Sequence, residues 1–416
     1  MLRVLETFSG IGAQAKALER LNIEYEILAT ADWDVNAIMA YDFIHNGAQN
    51  LSRYDNMTRQ EIMDRLNNYT LSPDGKEPYK KGTLERTNIK ILKRLLCAID
   101  RTNNLGSITD MTYEDIPENL DLLTYSFPCQ DLSIAGVWHG NMSGIDRNAN
   151  NRSGMLWEVE RLLRECVEND RELPQFLLME NVSNILAPRH RGNFQEWIDY
   201  LSEIGYYSQK YKLNASKFGI PQNRQRVYML SVYIGNSEEL RGILDDYFAN
   251  HNLEDETYAE NLDLNRITVE NIVRNNYENE AYMEEANRSQ MHDTPSRVKI
   301  VKDNDIIYEN NKYIDVLKTI TTKQDRNPNS GVIQYSHEAE DRLQWRYLTP
   351  RECFIAMGFD EADFESVDNN NINVTNSRKL FSDNKLVKMA GNSIVVNVLE
   401  AIFSQIVEIK DILEDV

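Results

Sequence analysis

Residues 1–235 alternate short apolar runs with amphipathic stretches, the pattern of an α/β sheet covered by helices on both faces. Arg3–Thr7 reads as a first strand, Ala13–Arg20 as the helix after it, and Tyr25–Ala31 as a second strand. Leu120–Ser126 and Gln175–Glu180 read as two more strands. In open α/β sheets ligands bind past the carboxyl ends of the strands, so Cys129 and Glu180, which fall there, are the first side chains to weigh for chemistry.

Between Tyr54 and Asn104 the chain is polar, with a turn at Ser72-Pro73-Asp74-Gly75-Lys76. A helix is expected over Glu85–Arg101, with an apolar stripe of Ile89, Leu92, Leu96 and Ile99. This segment reads as an elaboration at the sheet edge, and Cys97 and Cys166 read as core residues. From Ser231 to Arg342 the alternation breaks: Asn, Glu and Asp are frequent, and strand-like runs remain at Arg297–Val301 and Asp305–Tyr308. Alternation resumes at Leu348–Cys353 and ends in a helix over Val395–Val407. The pattern thus predicts one domain from residues 1–232 and 346–416, interrupted by a second over 233–345, without internal repeats or low-complexity tracts.

A chain of 416 residues with 41% hydrophobic content can bury a large core. Its apolar runs look too short to cross a bilayer, and the N-terminus leads straight into a strand without a signal-peptide pattern, so a cytoplasmic, membrane-free protein is expected. The four cysteines have neither disulfide-framework nor metal spacing, so no metal is expected and a free thiol is available. The net charge of −21 argues on its face against a nucleic-acid partner. Its distribution changes that picture. Acidic residues crowd Glu238–Glu285 and Glu408–Val416, whereas Arg147, Arg152, Arg189, Arg191, Lys217, Arg224, Arg226, Lys323 and Arg326 lie near the chemical motifs.

Three ordered clusters carry those motifs: Ser126-Phe127-Pro128-Cys129-Gln130, Glu180-Asn181-Val182, and Gln222-Asn223-Arg224-Gln225-Arg226. They supply a nucleophile, an acid and a basic clamp. A pyrimidine needs all three before its carbon 5 can be alkylated, because a thiolate must first add at carbon 6 to push electron density toward carbon 5. An acid near ring nitrogen 3 eases that addition. Cys129, Glu180 and Arg226 fit these roles. Separately, Phe8-Ser9-Gly10-Ile11-Gly12 joins the first strand to the first helix, where glycines let backbone approach a ligand. Asp32 after the second strand suits ribose hydroxyls, and Trp33 offers a flat face for adenine, although such a Trp can equally be a packing residue.

These blocks, in this order and ending in Gly391-Asn392-Ser393, resemble the DNA (cytosine-5)-methyltransferases, a family dependent on S-adenosylmethionine. The resemblance implies a Rossmann-like methyltransferase sheet with an inserted target-recognition domain, and a C-terminal helix beside the first strand. It implies that Phe8, Gly10, Ile11, Gly12, Asp32, Trp33, Ser107, Ile108, Pro128, Asn392 and Ser393 line the cofactor pocket, with S-adenosylhomocysteine as product. Cys129, Glu180, Arg224 and Arg226 become the catalytic set, Arg224 steadying the lid or a phosphate. Gln130 to Arg152, rich in Gly and small polar residues, would be that lid. DNA contacts are expected from Gln130, Ser133 and Arg152, and from Thr319, Thr321, Lys323 and Arg326 in the stretch Lys318–Asn327. Two departures stand out. Ser107 occupies a place where the family often has an acidic residue for the adenine amino group, so that Ser107 or Asp110 must serve, and the segment 54–104 is longer than usual.

The expected activity is methylation of carbon 5 of a flipped cytosine in a short duplex DNA sequence by a monomer of bacterial or phage modification type. A cognate restriction endonuclease acting on the same site is compatible with it. The rival enzyme is the tRNA-methylating branch, whose Cys-Phe-Thr signature is absent here, and the non-enzyme rival is an inactive cofactor-binding regulator.

Overall fold

The computed structural model describes residues 1–128, 132, 145, 152–324, 326–336, 341–376 and 378–415. Strands β1 (Leu2–Thr7), β2 (Tyr25–Ala31), β3 (Leu122–Tyr125), β4 (Phe176–Val182) and β5 (Tyr206–Asn214) are followed by the short β6 (Gln222–Asn223) and by β7 (Gln225–Tyr233). The central sheet has the order β2-β1-β3-β4-β7-β5. Its first four strands run parallel, and β7 is antiparallel to both β4 and β5. Parallel strands covered on both faces read as nearly continuous apolar runs, because each alternate residue enters a different core. Leu122, Phe176, Leu178 and Leu230 enter one core, and Leu123, Leu177, Met179 and Met229 the other.

Helices Ala13–Arg20, Val35–Asn46, Ile89–Thr102 and Val396–Glu414 cover the first face, and Leu156–Glu168 and Arg191–Glu203 the second. On the second face Trp197 is fully buried edge-on to Tyr125, and its Nε1 donates to the Tyr125 hydroxyl at 3.2 Å. The C-terminal helix packs against Ala13–Arg20, with Arg20 reaching Glu400 at 3.1 Å. It shares one core with Leu2 and Val4 of the first strand, on the same face of the sheet as Ala13–Arg20. The helical stretch Asp383–Glu414 is, by length and composition, apolar enough to cross a bilayer, contrary to the sequence expectation, but 83% of its most apolar window is buried inside the molecule. Its apolar surface is used on the sheet.

The next strands along the chain are β8 (Gln290–His292), β9 (Ile306–Glu309), β10 (Lys312–Tyr313), β11 (Leu317–Lys318), β12 (Val332–Gln334) and β13 (Arg342–Arg346). Five of them form a second sheet in the order β10-β9-β12-β13-β8. β11 instead pairs with β6, tying this region to the strand ends of the first sheet. Arg297–Val301, read from sequence as a strand, belongs to a helix, Pro295–Asp303. Thr294 caps it by accepting from the Arg297 amide, and Pro295 starts it with a helical φ, which outweighs the β-branched residues that suggested a strand. Two buried ion pairs join the regions: Arg346 to Glu352 at 2.7 Å and Arg351 to Glu285 at 2.8 Å.

Candidate functional site

The chain leaves β1 with Phe8 at φ 54° and turns through Gly10 and Gly12, both at positive φ, into the helix Ala13–Arg20. At Gly12 a Cβ is excluded twice over, by the φ of +79° and by His45, whose Nε2 would lie 2.1 Å from it. His45 is a residue that sequence reading missed. Its Nε2 lies 3.2 Å from the Ile11 carbonyl, and burial lowers its pKa to about 4, so a neutral ring donates there and holds the loop from below. Asp32 holds it from the side, accepting from the Gly10 amide at 2.9 Å and the Asp34 amide at 2.8 Å. Burial, and then the nearby Asp34, raise the Asp32 carboxyl to about 6. Trp33 is half-buried and its carbonyl accepts from the Ser72 amide at 2.7 Å.

Ser107 and Ile108 are buried. The Ser107 hydroxyl lies 2.8 Å from that of Thr109, and Asp110 accepts from the Thr70 amide at 3.2 Å. Both alternatives for the adenine amino group are thus engaged locally. Phe8 and the strand before Cys129 are adjacent, because the Ser126 hydroxyl donates to the Phe8 carbonyl at 3.5 Å. Asn181 fixes the approach to Cys129: its Nδ2 donates to the Phe127 carbonyl at 3.0 Å, just ahead of the half-buried Pro128. Cys129, Gln130 and Ser133 lie outside the described residues, as do most of the expected lid and the Arg152 side chain. Leu132 and Ile145, which are described, are fully buried, and the Trp157 Nε1 donates to the Ile145 carbonyl at 3.1 Å.

Glu180 stands near the end of β4, and the antiparallel register of β7 brings Arg226 to the same place. The Arg226 Nε lies 3.3 Å from the Glu180 Oε1. Burial raises the Glu180 carboxyl, with Arg226 and then Arg224 opposing the rise. Gln14, Thr124, Ser126, Glu180, Ile394 and Leu399 line one narrow cleft, so the acid and the cofactor-side elements share a floor. The pair sets a carboxyl whose neutral form burial favours beside a guanidinium that favours its charged form.

Arg224 requires a correction. It is buried, its Nη1 donates to the Ile320 carbonyl at 2.9 Å, and its Nη2 donates to the Gly391 and Ser393 carbonyls at 3.0 and 2.7 Å. A guanidinium so engaged is a staple between two loops rather than a surface phosphate contact. Gln222, named in the same motif but given no role from sequence, works beside it, accepting from the Ile320 amide at 3.0 Å and donating to the Ala356 carbonyl at 2.7 Å. Together they press the 319–322 segment onto 391–393. A Cβ at Gly391 would meet the Thr322 amide nitrogen at 2.6 Å, so glycine is what permits the contact. Asn392 is exposed and Ser393 buried at that junction. The Thr319 hydroxyl donates to the Asn223 carbonyl at 2.7 Å, the Thr321 hydroxyl accepts from the Lys323 amide at 3.4 Å, and Lys323 and Arg326 are exposed.

A family profile described as C-5 cytosine-specific DNA methylase matches residues 81–408. The orphan methyltransferase M.SssI of Spiroplasma monobiae is 34% identical over 97% of this chain and 97% of its own length. The type II methyltransferase M2.ScrFI of Lactococcus lactis subsp. cremoris is 30% identical, covering 98% of this chain and 99% of its own. Among solved structures, the Dnmt2 methyltransferase of S. pombe superposes with a TM-score of 0.59 at 19% identity, over 98% of this chain and 99% of that one. That last likeness is one of fold.

Proposed function

Because this chain belongs to the C-5 cytosine-specific DNA methylase family, we propose that it transfers a methyl group to carbon 5 of a flipped cytosine within a short duplex DNA sequence. The observation that carries the reading is the Glu180–Arg226 pair, 3.3 Å apart at the ends of adjacent strands, beside the loop that leads to Cys129. In this mechanism the Cys129 thiolate adds to carbon 6 of the ring. Glu180 holds a proton at ring nitrogen 3 and reads the exocyclic amine, while Arg226 moves to the ring carbonyl. Carbon 5 then takes the methyl group, loses its proton, and expels Cys129 to restore the ring. Arg224 and Gln222 act as positioning residues for the loops around this chemistry.

The family uses S-adenosylmethionine, which supplies an electrophilic methyl group when bound. The residues fit such a group: the turn Phe8–Gly12 opens at a helix N-terminus, with a carboxylate at Asp32 and an aromatic face at Trp33. Ile11, Ser107, Ile108, Pro128, Asn392 and Ser393 complete the proposed pocket. Residues 1–232 with 346–416 would do the chemistry and 233–345 would read DNA, through Thr319, Thr321, Lys323 and Arg326 and, from the other side, Gln130, Ser133 and Arg152. The similarity to an orphan and a type II enzyme supports a modification enzyme, with or without a cognate endonuclease, and a monomer is proposed.

The test is incubation with labelled S-adenosylmethionine and either duplex DNA or tRNA. Label is expected in DNA alone, and transfer to tRNA alone would overturn the substrate. Cys129→Ser should abolish transfer and leave cofactor binding nearly intact. Duplexes carrying 5-fluorocytosine should trap a covalent adduct on a denaturing gel, because fluorine cannot leave as the proton does.

A further inference from the structure

The segment 54–104 has so far only a packing role. Its helices Arg59–Leu66 and Ile89–Thr102 bury Ile62, Leu66, Leu92 and Leu96 in the core that also holds Ile38 and Phe43. The loop between them does more. It returns from the surface to the end of β2, where the Ser72 amide donates to the Trp33 carbonyl at 2.7 Å and the Val35 amide donates to the Ser72 carbonyl at 3.0 Å. The Asn36 Nδ2 donates to the Pro73 carbonyl at 2.8 Å. Lys388, on the helix Asp383–Asn392, clips the same loop by donating to the Asp74 carbonyl while lying 3.3 Å from Asp34.

The start of the loop is tied to the opposite side of the pocket. The Thr70 amide donates to the Asp110 carboxylate at 3.2 Å, and the Tyr69 ring packs 3.3 Å from where a Cβ on Gly106 would stand. Seven residues therefore bridge Trp33–Asp34 on one side and Gly106–Asp110 on the other. Ser72 at its centre is fully buried, its hydroxyl donating to the Glu77 carbonyl at 2.6 Å, so the loop is an ordered strap rather than a loose connection. Asp110, one of the alternatives for the adenine amino group, is engaged in holding the strap.

Resting on the cofactor reading above, we propose that the strap Tyr69–Gly75 is the third wall of the adenosine pocket. It sets the separation between Trp33 and Ser107 and gives the pocket its selectivity for the amino edge of the base. A wall held at both ends fixes the pocket's width before ligand arrives, and such preorganisation appears in affinity.

The two side-chain tethers can be cut separately. Asp110→Ala releases the Thr70 end, and Lys388→Met releases the Asp74 end. Asp110→Asn keeps an acceptor for the Thr70 amide. Calorimetry would compare S-adenosylhomocysteine with S-inosylhomocysteine, which carries a carbonyl in place of the amino group. Each cut is expected to weaken the adenosine compound by about tenfold, the scale of one lost hydrogen bond to a charged group. It should also narrow the preference between the two compounds, and Asp110→Asn should restore most of both. In turnover of Lys388→Met the KM for the cofactor should rise while kcat at saturation holds. Folded Asp110→Ala and Lys388→Met proteins with wild-type affinity and wild-type preference would overturn the strap as a pocket wall. A wild-type protein that binds neither compound would overturn the cofactor reading itself, and the strap with it.

Discussion

Glu6 is a carboxyl pushed far from its solution value. It sits on β1, fully buried, with no well-formed hydrogen bond at either carboxyl oxygen among the described residues. Burial raises its pKa to about 8, with Tyr41 and the Ala15 backbone easing the charge only in part. A folded pKa above the unfolded one contributes stability that is fully present below about 4.5 and is lost as pH rises through about 8. Glu6→Gln removes that loss, so thermal melts should show the variant gaining on the wild type steadily from pH 5 to 8; a constant difference across that range would refute the assignment. Trp33 tests a different residue-scale claim. Trp33→Ala should weaken S-adenosylmethionine binding by about 1–3 kcal/mol, the range for losing a stacking face, with DNA affinity little changed. Unchanged cofactor affinity by calorimetry would return Trp33 to a packing role. Sequence reading brought Glu180, Arg226, Asp32 and Trp33 to attention because their residue types fit a reaction. It missed His45, and gave Gln222 no role within its motif, because their work is done on backbone carbonyls and amides far away in the chain, and no local pattern marks that.

At the scale of elements, strands were legible from sequence wherever both faces are buried, as in β1, β2 and β4, because continuous apolar runs leave few alternatives. The reading failed where one capping interaction decides, as at Thr294. The joint between β13 and the helix Pro350–Ile355 shows tertiary control most sharply. Arg346 and Glu352 have fully buried side chains and form two hydrogen bonds, of 2.7 and 2.8 Å. Neither charge could be tolerated there alone. Glu352→Ala should therefore destabilise the protein by about 3–5 kcal/mol, because the Arg346 guanidinium is left without its counter-charge. Chemical denaturation would measure it. A loss below about 1 kcal/mol, the scale of a surface pair, would show that solvent reaches the joint.

For the whole molecule, the net charge of −21 sets the problem: an acidic protein must still hold a polyanion. Acidic side chains crowd the helix Glu238–Asn250 and the residues after it, whereas the segment that Gln222 and Arg224 press against 391–393 presents Lys323 and Arg326 to solvent. On the proposed reading, DNA affinity rests on few cations against an unfavourable background, so it should be modest, with a salt slope set by how many of them meet phosphate. The proposed division of labour separates their effects. A base-reading Arg is worth roughly 1–3 kcal/mol of discrimination, whereas a phosphate-binding Lys lowers affinity for every sequence and flattens the salt dependence by about one unit of slope. Arg326→Ala should therefore relax the choice of methylated sequence, and Lys323→Ala should weaken binding uniformly, while both variants bind cofactor normally because neither side chain enters the proposed pocket. Sequencing of methylated DNA together with salt titrations would resolve the two. If both variants kept wild-type specificity, affinity and salt slope, the segment Thr319–Asn327 would not face DNA, and the reading surface would have to be sought elsewhere in 233–345.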